Sequence, residues 1–370
     1  MKDFIPVAEP DLSVSERINL LEAFDSGWIS STGKFVDEFE DRWSISSGSG
    51  HALSVANGTV ALHLILAALG VGPGDEVIVP SLTFIATANA VKYVGAEVVF
   101  ADSNNSTWNI DVVGLAGLIT PKTKAIIAVH LYGNPSDMET LEKICNENNL
   151  FLIEDAAEAP FATIGNRPIG SFGIAASFSF YGNKILTSGE GGVVTTSDKN
   201  LYNKMKLLRG QGMDPNQRYY FTEIGYNFRL TNMQCAILCA QLDRKKELLS
   251  RRKKIFEVYD EVLNGHPNLR FQEILPNHTR SPWLYSLVFE GFPLNIRDLV
   301  AKDLQKLKIE TRPLFIPLHL LPPYKSENQK PLPISVRLGA QGLSLPTSSK
   351  MLPNSAREIA NILLGILKNY

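Results

Sequence analysis

The clearest pattern along the chain lies at Val60-Ala61-Leu62-His63-Leu64-Ile65-Leu66-Ala67-Ala68-Leu69, where nearly every position is apolar. A stretch of that length with no polar face predicts a helix buried on all sides. Leu150-Phe151-Leu152-Ile153 is a shorter apolar run that ends in two carboxylates, Glu154 and Asp155, and predicts a buried parallel strand. Asp75–Pro80, following the turn Gly72-Pro73-Gly74, reads as another strand, as do Glu97–Asp102 and Lys124–His130, with helical stretches between them. From about residue 50 to about 200 the chain thus alternates strand and helix, which predicts an α/β fold with a mostly parallel sheet covered by helices. The pattern changes after about residue 240: a charged helix over 241–263, an alternating strand at Trp283–Phe289, and a helix over Ile296–Leu307 capped by Asn295. The expected division is a large domain over 1–240 and a smaller α+β C-terminal domain over 241–370. The proline-rich stretch 313–333 reads as a loop, and no repeat or low-complexity tail interrupts this scheme.

Candidate chemistry gathers at the ends of these elements. A strand over Leu150–Asp155 delivers Asp155 to the carboxyl edge of a parallel sheet, where ligands bind. The plainer role for Asp155 is a cap, because Ala156-Ala157-Glu158-Ala159 could start a helix. Lys184 lies 29 residues further on, after the strand-like run Ser177–Phe180 and before Ser188-Gly189-Glu190-Gly191-Gly192. Glycines let backbone crowd a bound group, and a lysine beside them is placed to form a Schiff base with an aldehyde cofactor. A surface lysine in a loop is the alternative. Asn57-Gly58-Thr59 precedes the apolar helix: Asn57 can cap it, and the free amides of Gly58 and Thr59 make a phosphate site at its positive end. The same tripeptide can be only a turn and cap, and neither dinucleotide nor P-loop fingerprint occurs there.

These pieces resemble the fold type I pyridoxal 5'-phosphate (PLP) enzymes and, within them, the DegT-type nucleotide-sugar aminotransferases. The resemblance rests on Asn57-Gly58-Thr59, Pro80–Asn89, His130-Leu131-Tyr132-Gly133, Glu154–Ala159, Ser177–Gly192 and Gly225–Asn232, in the family's order and over nearly the whole chain. Trp28-Ile29-Ser30-Ser31, Phe180–Ile185, Arg209–Pro215 and Arg312–His319 narrow it further. It implies that Lys184 carries the cofactor, Asp155 faces the pyridine nitrogen and Glu158 sits by the phenolic oxygen. By the same resemblance Gly58, Thr59 and Ser179 bind the phosphate, Phe84 stacks on the ring, and Asn227 reaches the phosphate from a neighbouring subunit. Arg229 and His319 are the implied substrate binders, and the first ~30 residues an active-site arm. The implied assembly is a homodimer with shared sites. The implied reaction is transamination from L-glutamate to a nucleotide-linked 4-keto-6-deoxyhexose, GDP-4-keto-6-deoxymannose first and dTDP-4-keto-6-deoxyglucose as the alternative. A dehydratase on the same scaffold carries His in place of the lysine, and a noncatalytic binding protein on this fold stays open. Glu158 departs from the Gln of many relatives, and Tyr181 from a frequent Phe.

Composition adds exclusions. The 370 residues are 44% hydrophobic, enough for two cores. A net charge of −2 gives no global attraction to nucleic acid or acidic membrane. The basic cluster Arg244-Lys245-Lys246 and Arg251-Arg252-Lys253-Lys254 reads as a solvated helix face. Cys145, Cys235 and Cys239 lack metal-ligand spacing and read as buried thiols, so no metal and a reducing compartment are expected. Met1-Lys2-Asp3-Phe4-Ile5-Pro6 has no apolar signal core, and no run of about 18 apolar residues could span a bilayer, which leads to a cytoplasmic expectation.

Overall fold

A computed structural model describes residues 4–327 and 329–370. Met1-Lys2-Asp3 of the N-terminal reading, and Asn328 of the proline-rich stretch, lie outside the described residues.

The strands β1 (His51–Val55), β2 (Glu76–Pro80), β3 (Glu97–Ala101), β4 (Thr123–Val129) and β5 (Phe151–Asp155) follow in chain order. Two short strands, β6 (Thr163–Ile164) and β7 (Arg167–Pro168), precede β8 (Ala175–Ser179) and β9 (Gly192–Thr196). The seven longer ones form a single sheet in the order β1-β9-β8-β5-β4-β2-β3. β8, β5, β4, β2 and β3 pair in parallel, and β9 runs antiparallel to both its neighbours. Continuous apolar strands result because both faces are covered. Ile78, Ile126, Leu152 and Ala176 point into one core with Met138, Leu141 and Cys145 of the helix Met138–Asn148. Their chain neighbours Val77, Ala125, Ile127, Ile153 and Ala175 point into the opposite core. There they meet Ala61, Leu62, Leu64, Ile65 and Leu66, the buried side chains of the helix Gly58–Ala68.

The C-terminal part builds a four-stranded antiparallel sheet from β10 (Leu269–Phe271), β12 (Tyr285–Phe289), β13 (Arg312–Pro313) and β14 (Gly342–Leu345), in the order β10-β12-β14-β13. The helices Lys245–Leu263 and Pro353–Leu367 close its core around Tyr259, Leu287, Phe289 and Leu363. β11 (His278–Thr279) instead pairs with β6 and ties this part to the first.

Three details differ from the sequence expectation. The charged helix begins later, at Lys245, and runs to Leu263; residues 241–243 end the preceding helix Asn232–Asp243, with Arg244 at φ −88°, ψ 0° between the two. Its guanidinium leaves the helix surface to bind Asp11 at 3.0 Å and Glu16 at 2.9 Å. The basic cluster is therefore not one solvated face. Arg252 is buried, donating to the carbonyls of Trp283 at 3.1 Å and Thr347 at 2.9 Å. Asn295 stands at the N-cap of the helix Ile296–Lys306, but its side chain makes no capping bond. No helix among the described residues is long and apolar enough to cross a membrane.

Candidate active site

A cavity of about 510 Å³ opens at the carboxyl ends of β4, β5 and β8, a volume suited to a cofactor-sized ligand. One wall is the start of the helix Gly58–Ala68. Asn57 Oδ1 accepts the Val60 amide at 3.0 Å, which caps the helix and leaves the Gly58 and Thr59 backbone on the cavity. The glycines keep this wall closed. A Cβ on Gly58 would stand 2.9 Å from Ser179 Cβ, and one on Gly192 would stand 2.5 Å from the Asn57 carbonyl carbon. Backbone amides at a helix N-terminus, with the Ser179 hydroxyl beside them, make a cradle for phosphate oxygens.

Asp155 ends β5 and is buried. Its Oδ2 accepts the Thr87 hydroxyl at 2.7 Å and its Oδ1 the Ala157 amide at 3.2 Å. Burial pushes its carboxyl up, opposed by the Thr87 and Ala157 hydrogen bonds and by the charges of Lys184 and His130. Residues 156–159 do not start a helix, so the cap is a turn around one amide. Glu158 Oε2 accepts the backbone N–H of Tyr132 at 2.7 Å, and burial moves the Glu158 carboxyl up to about 7. That N–H is available because Tyr132 adopts left-handed backbone, φ 53°. The following Gly133, at φ 88°, passes so close to Ser281 that a Cβ there would lie 2.0 Å from its carbonyl oxygen. The Tyr132 ring lies parallel to two others, with centroids 6.1 Å from Trp283 and 5.4 Å from Phe315.

Lys184 Nζ sits 4.0 Å above the Trp283 ring centre. Trp283 Nε1–H is fixed by the Asn183 carbonyl at 2.9 Å, which holds the indole under the lysine. Burial lowers the Lys184 ammonium from its ordinary range; Glu158 and Asp155 oppose this and Arg312 adds to it. An amine whose ammonium form burial disfavours can accept and return a proton at Nζ.

The residues fit PLP. Gly58, Thr59 and Ser179 offer the phosphate cradle, Asp155 an anion for the pyridine nitrogen, and Lys184 the amine for the aldehyde. Asn183 Oδ1, buried without a partner on the same wall, leaves one acceptor for a ligand.

Gly58, Thr59, Phe84, Asp155, Glu158, Ser179 and Lys184 all line this cavity, while Asn227, Arg229 and His319 do not. Asn227 is exposed and accepts Arg229 Nη2 at 3.0 Å; Arg229 Nε is buried without a partner. His319 Nδ1 meets Ser81 Oγ at 2.6 Å in a buried pair. Thr87, Tyr132, Trp283, Arg312 and Phe315 are site residues that the sequence reading left without a role. Tyr132, Thr87, Arg312 and Phe315 stood inside motifs already singled out, but nothing in their spacing points at the cavity.

The model of the DegT/DnrJ/EryC1/StrS aminotransferase family matches residues 10–364. GDP-perosamine synthase of Caulobacter vibrioides is 48% identical over 93% of both chains, and that of Vibrio cholerae 39% identical over 99% of both. Among solved structures, PseC of Helicobacter pylori, an aminotransferase of pseudoaminic acid biosynthesis, superposes with a TM-score of 0.94 at 29% identity, each chain covered in full. A sheet that presents lysine and carboxylate to a helix-capped cradle is thus matched along almost its whole length, and the chain belongs to the DegT/DnrJ/EryC1/StrS aminotransferase family.

Proposed function

We propose that the chain is a PLP-dependent aminotransferase that takes the amino group of L-glutamate to the C4 ketone of GDP-4-keto-6-deoxymannose, yielding GDP-perosamine. The observation that carries the reading is Lys184, a buried amine on the wall of one cavity with Asp155, Glu158 and a phosphate cradle. The near full-length likeness to perosamine-forming relatives supports the choice of sugar.

When bound, PLP supplies an electron sink for the carbon that loses its proton. The chain's own residues do the rest. Gly58, Thr59 and Ser179 would hold the phosphate, and Phe84 and Ala157 would bound the ring. Asp155, whose Oδ2 and Oδ1 accept the Thr87 hydroxyl and the Ala157 amide, would be the partner of the pyridine nitrogen and hold its proton in place. Lys184 Nζ would accept the proton that leaves the substrate carbon and later return it. A cytoplasmic homodimer fits this reading, with Asn227 and Arg229, away from their own cavity, serving the neighbour's.

The test is a panel of GDP-, dTDP- and UDP-linked 4-keto sugars incubated with PLP and L-glutamate, with amino-sugar product read by mass. Amination of the GDP-linked sugar at least about tenfold faster than the dTDP-linked one is expected, the difference that about 1.4 kcal/mol of discrimination gives. The reverse order would move the assignment to the dTDP sugar. Absence of a visible-edge absorbance band that bleaches with glutamate would mean a noncatalytic binding protein.

A further inference from the structure

Lys184 and Arg312 are the two cationic side chains on the cavity wall among the described residues. Only Arg312 is cationic at every working pH, because a guanidinium does not deprotonate and Lys184 must become neutral to act. Arg312 stands on the edge strand β13, paired with Ser344 of β14, which lines the same cavity. Its side chain is 37% exposed, and its one ion pair among the described residues is loose, with Glu310 Oε1 3.9 Å from Nη2. The other oxygen of Glu310 is held by the Val7 amide at 2.9 Å. Among the described residues the guanidinium has no other hydrogen-bond or ion-pair partner, and Arg312 lines the cavity.

Both substrates of the proposed reaction are anions: the donor carries two carboxylates and the nucleotide sugar a diphosphate. The cradle at Gly58 and Thr59 belongs to the cofactor's phosphate, so a substrate anion needs another partner in this chain. We infer that Arg312 is the substrate-anion anchor of the cavity, binding either a donor carboxylate or a diphosphate oxygen through its guanidinium fork. The inference rests on the aminotransferase reading above. It adds an electrostatic consequence, since a fixed cation near Lys184 favours the neutral amine. Arg312 follows the turn that ends the helix Ile296–Lys306, and strand pairing with β14 aims it at the cavity.

The experiment titrates the PLP-loaded protein by calorimetry with glutarate, an unreactive dicarboxylate, and separately with GDP. Arg312→Gln is expected to weaken one of the two by about ten- to hundredfold, the worth of a charged hydrogen bond, and the ligand affected identifies the source of the anion. Arg312→Lys, which keeps charge and loses the fork, should fall between wild type and Arg312→Gln, and serves alone if the glutamine variant folds poorly. Unchanged affinity for both ligands, within about twofold of wild type, would overturn the assignment while leaving the aminotransferase reading intact. Failure of the wild type to bind either ligand would remove both.

Discussion

Thr87 Oγ1 donates to Asp155 Oδ2 across 2.7 Å, both residues being buried, so a helix residue of the second βα unit supports the charged form of the carboxylate at the end of β5. Burial raises the Asp155 carboxyl, and this hydrogen bond is the first of the contacts that hold it down. Thr87→Val keeps the shape and deletes the donor. It is expected to cut kcat by about ten- to hundredfold and to move the acid limb of the pH–rate profile to higher pH. Asp155→Asn should lose about two to four powers of ten. An acid limb that stays in place in Thr87→Val would assign the control of Asp155 to Ala157 and Lys184 instead.

Glu158 makes the cofactor-free protein sensitive to pH near neutrality. Its carboxyl titrates at about 7 in the fold, against 4.5 in the unfolded chain, because it is buried. The folded state therefore holds its proton longer, and the stability it contributes is complete below 4.5 and is lost as pH rises through about 7. Glu158→Gln stays neutral throughout. Relative to wild type it should gain stability over that window, on the order of 1–3 kcal/mol, measured by urea unfolding at pH 5 and pH 8.5. Parallel curves for the two proteins would refute a buried ionisation at this position.

Lys184→Ala should abolish turnover, by at least about four powers of ten, and leave the fold intact. The sign of its stability effect follows from the lowered ammonium. The unfolded lysine binds its proton below the ordinary 10.5 while the folded one resists, so wild-type stability is lost as pH falls through the folded value. The alanine variant should thus gain on wild type as pH falls below the ordinary 10.5, read by thermal unfolding along a pH series. Turnover near the wild-type rate would return Lys184 to a loop residue with no chemistry.

The glycine cluster separates two kinds of glycine. Gly192 has no room, since a Cβ there would press on the Asn57 backbone at 2.5 Å, whereas Gly189, at φ 87°, has nothing within 4 Å. Gly192→Ala is expected to cost about 1–3 kcal/mol and to weaken PLP binding, because the strain falls on the cap of the phosphate cradle. Gly189→Ala carries only the backbone strain of its conformation, about 1 kcal/mol, and should keep cofactor affinity. Equilibrium dialysis with PLP measures the difference, and equal affinities would mean that the cap yields without consequence.

Lys184, Asp155 and Asn57-Gly58-Thr59 stood out as candidates because each is local, a polar group left where an apolar run ends or begins, while a loop lysine, a cap and a turn stayed open until the family resemblance singled them out; the fold brings all three to one cavity. The alternation that gives the parallel sheet is local in the same sense. Tyr132, Trp283 and Phe315 were not legible as a stack, since the three rings come from segments more than 30 residues apart and meet only when β12 and β13 fold against the first sheet. The basic cluster misled for a related reason. Charge patterning reads a helix surface, but Arg244 and Arg252 find their partners in Asp11, Glu16 and the carbonyls of Trp283 and Thr347, which no helical period can announce.

Asn227 and Arg229 bear on assembly. Exposed Asn227 and half-buried Arg229 form a pair outside the cavity of their own chain, and Arg229 keeps one buried nitrogen without a partner among the described residues. If they complete the site of a second copy, two inactive variants should rescue each other. Lys184→Ala and Arg229→Ala, mixed under conditions that exchange subunits, give heterodimers in which one of the two sites carries both native residues. Random pairing makes half of the dimers heterodimers, so about a quarter of all sites recover, and activity should approach that fraction of wild type while each parent stays inactive. Sedimentation at the assay concentration fixes the oligomer. No recovery after proven exchange, or full activity in a monomer, would confine Arg229 to its bond with Asn227 and leave the site to a single chain.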